Sequence, residues 1–319
     1  MSVRILNAEP AGYCEEARAI LRTIGELIEE PVTQDELAER VTDADILIVR
    51  VALRVTDEVL QAGHRLKAVV SAVTGLDHID VEAARKRRVA VLSLVGEGEF
   101  LKSVPSTAEH TWSLLLALLR RTPWSFRSVL EGQWNRNAYR GRDLHGRRLG
   151  ILGLGRIGEQ IARFGVVFGM KVGAYTLPRG DWLPDVERFD SLEELLRWCD
   201  ILTIHVPLND GTRGLLGKEA LHVLRPGAVV VNTARGAIVD EAALVEALES
   251  GHLAGAAVDV LAEEQPAERR RRSPLLRYAV DHDNLLITPH LGGASVESME
   301  RTELFLAAKL RAFLAGVTT

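Results

Sequence analysis

Apolar residues follow two rhythms along this chain. Short unbroken aliphatic runs read as buried strands, and longer stretches with apolar residues three and four apart read as helices. Residues 3–6 predict a strand. Residues 15–29 predict a helix carrying Ala19, Ile20, Ile24, Leu27 and Ile28. A short helix over 34–40 and strands over 46–49, 68–71 and 89–92 follow, with helices over 56–62 (capped by Thr56) and 80–86 between them. Residues 93–104, with Gly96, Gly98 and glutamates, read as a loop. A long apolar helix then runs from Pro105 to Leu119, and a second spans 125–133 with Trp124 and Trp134 at its ends. Those tryptophans suit an interface or a core equally well.

The rhythm continues in the second half. Strands are predicted at 149–152, 171–175, 201–204, 228–232, 254–258 and 285–287. Helices lie between them, including 191–198, where Ser191 and Glu194 form a capping box, and 240–250. A terminal helix covers 295–315. Strand–helix alternation means parallel sheets. The expected fold is α/β, with two Rossmann-like parallel-sheet domains. A dinucleotide-binding domain, 105–290, is inserted into a discontinuous substrate-binding domain made of 1–104 and 291–319.

Composition narrows the class. A length of 319 residues favours two domains, and 47% hydrophobic content supplies their cores. A net charge of −5 argues against a nucleic-acid partner. The two cysteines, Cys14 and Cys199, lie far apart without metal-ligand neighbours, which predicts free thiols in a reducing compartment and no metal site. No secretory leader or bilayer-length apolar run is read, so a cytoplasmic protein without a membrane partner is expected. The run Arg269–Arg272 reads as a solvated loop rather than an anion site.

Chemistry begins at Gly153-Leu154-Gly155-Arg156-Ile157-Gly158, a G-x-G-x-x-G turn between a strand and an apolar helix. Gly153 suits the tight turn, Gly155 a close approach of pyrophosphate, and Gly158 close helix–strand packing. The helix N-terminus offers amide donors to phosphates. Three polar residues then fall after successive strand ends: Arg235, Glu264 and His290. Ligands of parallel sheets sit at those ends. An arginine can grip a carboxylate through two hydrogen bonds, and a histidine beside a carboxylate has its protonated form favoured.

With those residues in view, the chain resembles the D-isomer-specific 2-hydroxyacid dehydrogenase family, in its phosphoglycerate dehydrogenase-like branch. The glycine turn carries the resemblance together with His205-Val206-Pro207-Leu208, Leu224-Arg225-Pro226-Gly227 and Asn232-Thr233-Ala234-Arg235-Gly236. Asp259-Val260 with Glu264, and Thr288-Pro289-His290-Leu291-Gly292-Gly293, extend it. Thr74-Gly75-Leu76-Asp77 and Ala108-Glu109-His110-Thr111 match as well. The resemblance implies hydride transfer between a nicotinamide cofactor, NAD or NADP, and a D-2-hydroxyacid or 2-ketoacid. It makes His290 the acid/base, Glu264 the carboxylate that holds it, and Arg235 the ligand of the substrate's carboxylate and 2-oxygen. Asp259 would face the nicotinamide. Arg156 and Ile157 would give amides to the pyrophosphate, with His205, Val206, Pro207, Thr233, Ala234 and Gly292 also on the cofactor. Thr74, Gly75 and Leu76 would offer backbone donors to the substrate carboxylate, and closure of the two domains would exclude water. Spacing from Asp259 selects Glu264 over Glu263, although Gln265 displaces the proline that often follows. Family members often carry an added regulatory domain, and none is expected here.

Two departures colour the expectation. The acid that usually ends the second strand on the ribose is replaced by Thr176, and Arg179 follows. That predicts relaxed or NADP-leaning specificity, unless Asp181 takes the ribose role. Arg50, Lys102 and Ser103, with Arg54 nearby in sequence, could serve a doubly anionic substrate, phosphorylated or phosphonylated. A homodimer through the helices between Trp112 and Trp134 is expected. The rivals are a nucleotide-sensing, corepressor-like binding protein, and a dehydrogenase acting on a phosphorus centre or formate.

Overall fold

A computed structural model of the chain describes residues 2–177 and 182–316. It separates into two compact units: residues 1–104 with 295–319, and residues 105–294. The second crossing thus falls between Ala294 and Ser295, a few residues after the expected junction at 290/291.

The first unit is built on a five-stranded parallel sheet of β1 (Val3–Asn7), β2 (Gly25–Glu29), β3 (Ile46–Ile48), β4 (Ala68–Val70) and β5 (Ala90–Leu92), in the order β2-β1-β3-β4-β5. Neighbouring side chains on a strand point to opposite faces, and both faces are covered. Ile5 and Ile46 pack with Leu21, Leu306 and Leu310 on one side. Leu6 and Leu47 pack with Leu37, Val59 and Leu60 on the other. The terminal helix, Val296–Leu314, therefore belongs to this unit's core. The helix expected over 15–29 ends at Ile24, and Gly25–Glu29 becomes the edge strand β2, paired in register with β1. The expected loop over 93–104 contains one helical turn, Gly98–Leu101.

The second unit holds a seven-stranded parallel sheet. Its strands are β6 (Arg148–Leu152), β7 (Lys171–Tyr175), β8 (Val186–Arg188), β9 (Ile201–Ile204), β10 (Ala228–Asn232), β11 (Leu253–Val258) and β12 (Leu285–Ile287). Their order is β12-β11-β10-β9-β6-β7-β8. The strand sequence reverses beside β6, which pairs with both β7 and β9. Ligand crevices of open parallel sheets form at such a reversal. The helices Ser106–Leu119 and Arg156–Val167 cover one face through Leu115 and Ile161 against Leu149 and Ile151. Leu195, Leu196, Leu244 and Leu275 cover the other. Ser191 and Glu194 form the expected capping box, which satisfies two otherwise unpaired amides at a helix start.

Candidate active site

The glycine turn lies at the C-terminal end of β6. Gly153 has φ +99°, a backbone that L side chains rarely adopt, and its amide donates to Tyr175 O at 2.8 Å. A Cβ at Gly158 would fall 2.1 Å from Gly153 O, so only glycine lets the helix start this close to the strand. Gly155 is different. It is the N-cap of the helix Arg156–Val167, no side chain caps that end, and a Cβ placed on it would meet nothing within 4 Å. Among the described residues no contact demands glycine there, whereas a pyrophosphate on the helix amides would. The residues present therefore fit a dinucleotide.

Around this turn, Ile157 packs against the core and Arg156 is half-buried, with burial pushing its guanidinium below the usual range. Thr176 follows β7 and is partly exposed. Arg179 and Asp181, the two residues weighed for the ribose end of the cofactor, lie outside the described residues. His205 follows β9, its amide bonded to Leu152 O at 2.7 Å. Burial pushes its imidazole down to about 3, so it is neutral near pH 7, and its Nε2 is shielded from solvent without a hydrogen-bond partner among the described residues. Val206 packs on the sheet core, and Pro207 O accepts from Thr212 Oγ1 at 2.6 Å.

Three strand ends farther along bring the titratable residues together. His290 Nδ1 lies 2.8 Å from Glu264 Oε2. That bond raises the imidazole above its ordinary value; burial works against it, and the Arg235 charge opposes it further while Asp259 assists. The Arg235 charge acts on His290, while the direct contact is the one between His290 and Glu264. His290 has φ +56°, a left-handed backbone that is costly for a residue with a Cβ. Asp259 holds it there. The Asp259 carbonyl accepts from His290 N at 2.8 Å, and the carboxylate accepts from Leu291 N and Gly292 N, each at 2.7 Å. Thr288 Oγ1 donates to the same carboxylate at 2.6 Å, and His110 Nε2 lies 3.1 Å from it. Burial raises the Asp259 carboxyl, but these donors outweigh it and keep the group ionised.

After β10, Asn232 shapes the turn that carries Arg235. It donates to Arg235 O at 2.9 Å and accepts from Ala234 N at 3.0 Å. Arg235 Nη1 donates to Ala234 O at 2.8 Å, and Thr233 is buried with its hydroxyl 2.7 Å from that of Thr111. The loop bearing Glu264 is braced as well. Glu264 Oε1 accepts from Leu261 N at 3.3 Å, and Arg270 Nη1 donates to Glu264 O at 3.1 Å. Glu241 accepts from Ala262 N at 2.7 Å and from Ser273 Oγ at 2.6 Å. Arg270 is thus tied to the loop of Glu264 instead of being simply solvated. The roles of His110, Thr288, Arg270 and Glu241 carry no local sequence signal, although His110 and Thr288 lie within Ala108-Glu109-His110-Thr111 and the Thr288–Gly293 run.

The remaining expected site residues lie in the first unit. Arg50 follows β3; its guanidinium is bonded to the buried Glu303 carboxylate and, at 2.8 Å, to Ala11 O, so a ligand would compete with both. Lys102 Nζ pairs with Glu99 at 2.7 Å and is exposed. Ser103 Oγ donates to Phe100 O at 2.8 Å. Thr74 is exposed in a bend after β4, and Gly75 and Leu76 follow it half-buried in irregular backbone. Among the described residues no group of three or more His, Cys, Asp or Glu could hold a metal ion, and no helix is long and apolar enough to cross a membrane.

Known proteins match this arrangement. Residues 112–292 match the model of the D-isomer specific 2-hydroxyacid dehydrogenase NAD binding domain. The D-3-phosphoglycerate dehydrogenase of Methanocaldococcus jannaschii is 35% identical, over 98% of this chain and 58% of that one. The hydroxypyruvate reductase of Thermotoga maritima is 36% identical, over 89% of this chain and 90% of its own length. The crystal structure of the TT0316 protein from Thermus thermophilus superposes with a TM-score of 0.86 at 34% identity, covering 98% of this chain and 97% of that one. The chain belongs to the D-isomer-specific 2-hydroxyacid dehydrogenase family, and residues 112–292 are its NAD-binding domain. It spans 58% of the length of the M. jannaschii relative and about half that of several others.

Proposed function

We propose that the protein is an NAD(P)-dependent oxidoreductase that interconverts D-2-hydroxyacids and 2-ketoacids. The observation that carries this reading is the His290–Glu264 pair, 2.8 Å apart, with its imidazole raised and Arg235 within electrostatic range. A nicotinamide cofactor, when bound, would supply the hydride exchanged with C2 of the acid. In reduction, protonated His290 donates a proton to the 2-oxygen; in oxidation, neutral His290 accepts it. Glu264 orients the ring through Nδ1 and stabilises its charged form, leaving Nε2 for the substrate. Arg235 binds the carboxylate and offsets negative charge growing on the 2-oxygen. Thr74, Gly75 and Leu76 are assigned to the substrate carboxylate, and Asp259 with Gly292 to the nicotinamide side. Thr176, in place of an acid, supports tolerance of a 2′-phosphate.

The working form is proposed to be a cytoplasmic homodimer. Phe126, Leu130 and Trp134, on and after the helix Thr122–Leu130, are exposed to 64%, 72% and 89%, an apolar display that suits contact with a second copy. The test of function is a panel of 2-ketoacids, including phosphorylated and phosphonylated ones, with NADH and NADPH. Cofactor oxidation with at least one member is expected; cofactor binding without turnover on any member would favour a nucleotide-sensing protein.

A further inference from the structure

His110 lies on the helix Ser106–Leu119, at the start of the second unit, 149 residues before Asp259. Its Nε2 is 3.1 Å from Asp259 Oδ1 and 3.1 Å from Thr288 Oγ1. An ionised carboxylate only accepts hydrogen bonds, so Nε2 carries the proton, an assignment made from the network. Thr288 spends its own hydroxyl proton on the same carboxylate. His110 therefore supplies the side-chain donor that crosses from the helix to the segment 288–292. The other donors to that carboxylate, Thr288, Leu291 N and Gly292 N, all belong to the segment itself.

Position matters here because the segment is under strain. His290 sits between Thr288 and Leu291 in a left-handed backbone, and such a conformation persists only where its surroundings over-determine it. Asp259 supplies that constraint from both its carbonyl and its carboxylate. A carboxylate buried to this degree and deprived of one donor relaxes toward whatever donor or solvent remains.

We infer that His110 is a positioning residue for the acid/base histidine: through Asp259 and Thr288 it fixes the 288–292 segment to the helix Ser106–Leu119 and so sets the His290–Glu264 geometry. This rests on the reading of His290 as the acid/base. Among the described residues, the charged groups acting on His290 are Glu264, Asp259 and Arg235, and Asp259 faces His110.

The test compares His110→Leu, which removes the donor, with His110→Gln, whose terminal amide can restore it. Nitrogen-15 imidazole spectra of the full chain titrate His290 directly, and steady-state assays give kcat and KM. The leucine variant is expected to lower the His290 pKa by about half a unit or more. It is also expected to lower kcat by roughly tenfold or more while KM for the cofactor changes by less than about threefold. The glutamine variant should recover most of both losses. If His110→Leu does not fold, Thr288→Val, which removes the bridging hydroxyl, should move the His290 titration in the same direction. A His290 titration unchanged in the folded leucine or valine variant, or a loss that glutamine does not relieve, overturns the proposal. The titration needs no substrate, so it still decides on positioning if wild-type protein turns over nothing on the panel, a result that would count against the proposed function alone.

Discussion

His290 and Glu264 lie 26 residues apart in the chain and share a hydrogen bond of 2.8 Å between Nδ1 and Oε2. Because that bond is the largest cause of the raised imidazole value, it fixes a pH dependence. Under the proposed function, ketoacid reduction needs protonated His290 and should fall as pH rises through the raised value; hydroxyacid oxidation should rise there. Glu264→Gln keeps the shape and removes the charge, so both limbs should move to lower pH, and kcat/KM for reduction at neutral pH should fall about 10–100-fold. Profiles of kcat/KM in both directions check this; limbs unmoved in the glutamine variant would remove Glu264 from its role. Stability has the same sign. A raised histidine stabilises fully below its unfolded value of 6.5, and that contribution is lost as pH rises through the folded value.

The open space at Gly155 separates folding from binding. Gly155→Ala places a methyl where none of the described residues lies within 4 Å. Its melting temperature should stay within a few degrees of wild type, while cofactor affinity weakens about tenfold or more because the backbone can no longer approach a phosphate. Gly158→Ala, whose Cβ would fall 2.1 Å from Gly153 O, should instead lose stability outright. Thermal melts alongside cofactor titrations distinguish the two; unchanged cofactor affinity in Gly155→Ala would place the pyrophosphate elsewhere.

Under the proposed function, cofactor choice is expected to turn on Thr176. An acid at the end of the second strand accepts from the ribose hydroxyls and repels a 2′-phosphate. Wild-type kcat/KM with NADPH should equal or exceed that with NADH, and Thr176→Asp should shift the ratio toward NADH by about tenfold or more. A strong wild-type preference for NADH would contradict this.

The exposed Leu130 and Trp134 predict association. The wild type should run as a dimer in light scattering, and Leu130→Glu with Trp134→Glu should shift it toward monomer, since burying two unpaired carboxylates at an apolar contact is strongly unfavourable. A monomeric wild type at micromolar concentration would reject the assignment.

The sequence made the central strands and the cluster chemistry legible because both depend on local signals. β9, β10 and β12 are short apolar runs, and each is followed by a polar residue or motif at a place where parallel sheets bind ligands. Edges were harder. The helical spacing of 15–24 continues through Leu27 and Ile28, but Gly25–Glu29 pairs with β1 instead, a long-range choice that periodicity does not carry. β8 has one buried residue in three and so no apolar run to betray it. The supporting groups were hidden for the same reason. His110 reaches Asp259 across 149 residues, and Arg270, within a run that reads as solvated charge, reaches back to the Glu264 carbonyl. The left-handed backbone of His290 has no sequence signature, since the residues that impose it lie on β11 and its end.

The most direct test of the account is His290→Asn with the best ketoacid from the panel, measured as single-turnover hydride transfer alongside cofactor titration. The asparagine variant should bind reduced cofactor within about threefold of wild type and transfer hydride about 10²–10⁴-fold more slowly. Wild-type rates in that variant would contradict the assignment of the proton to His290.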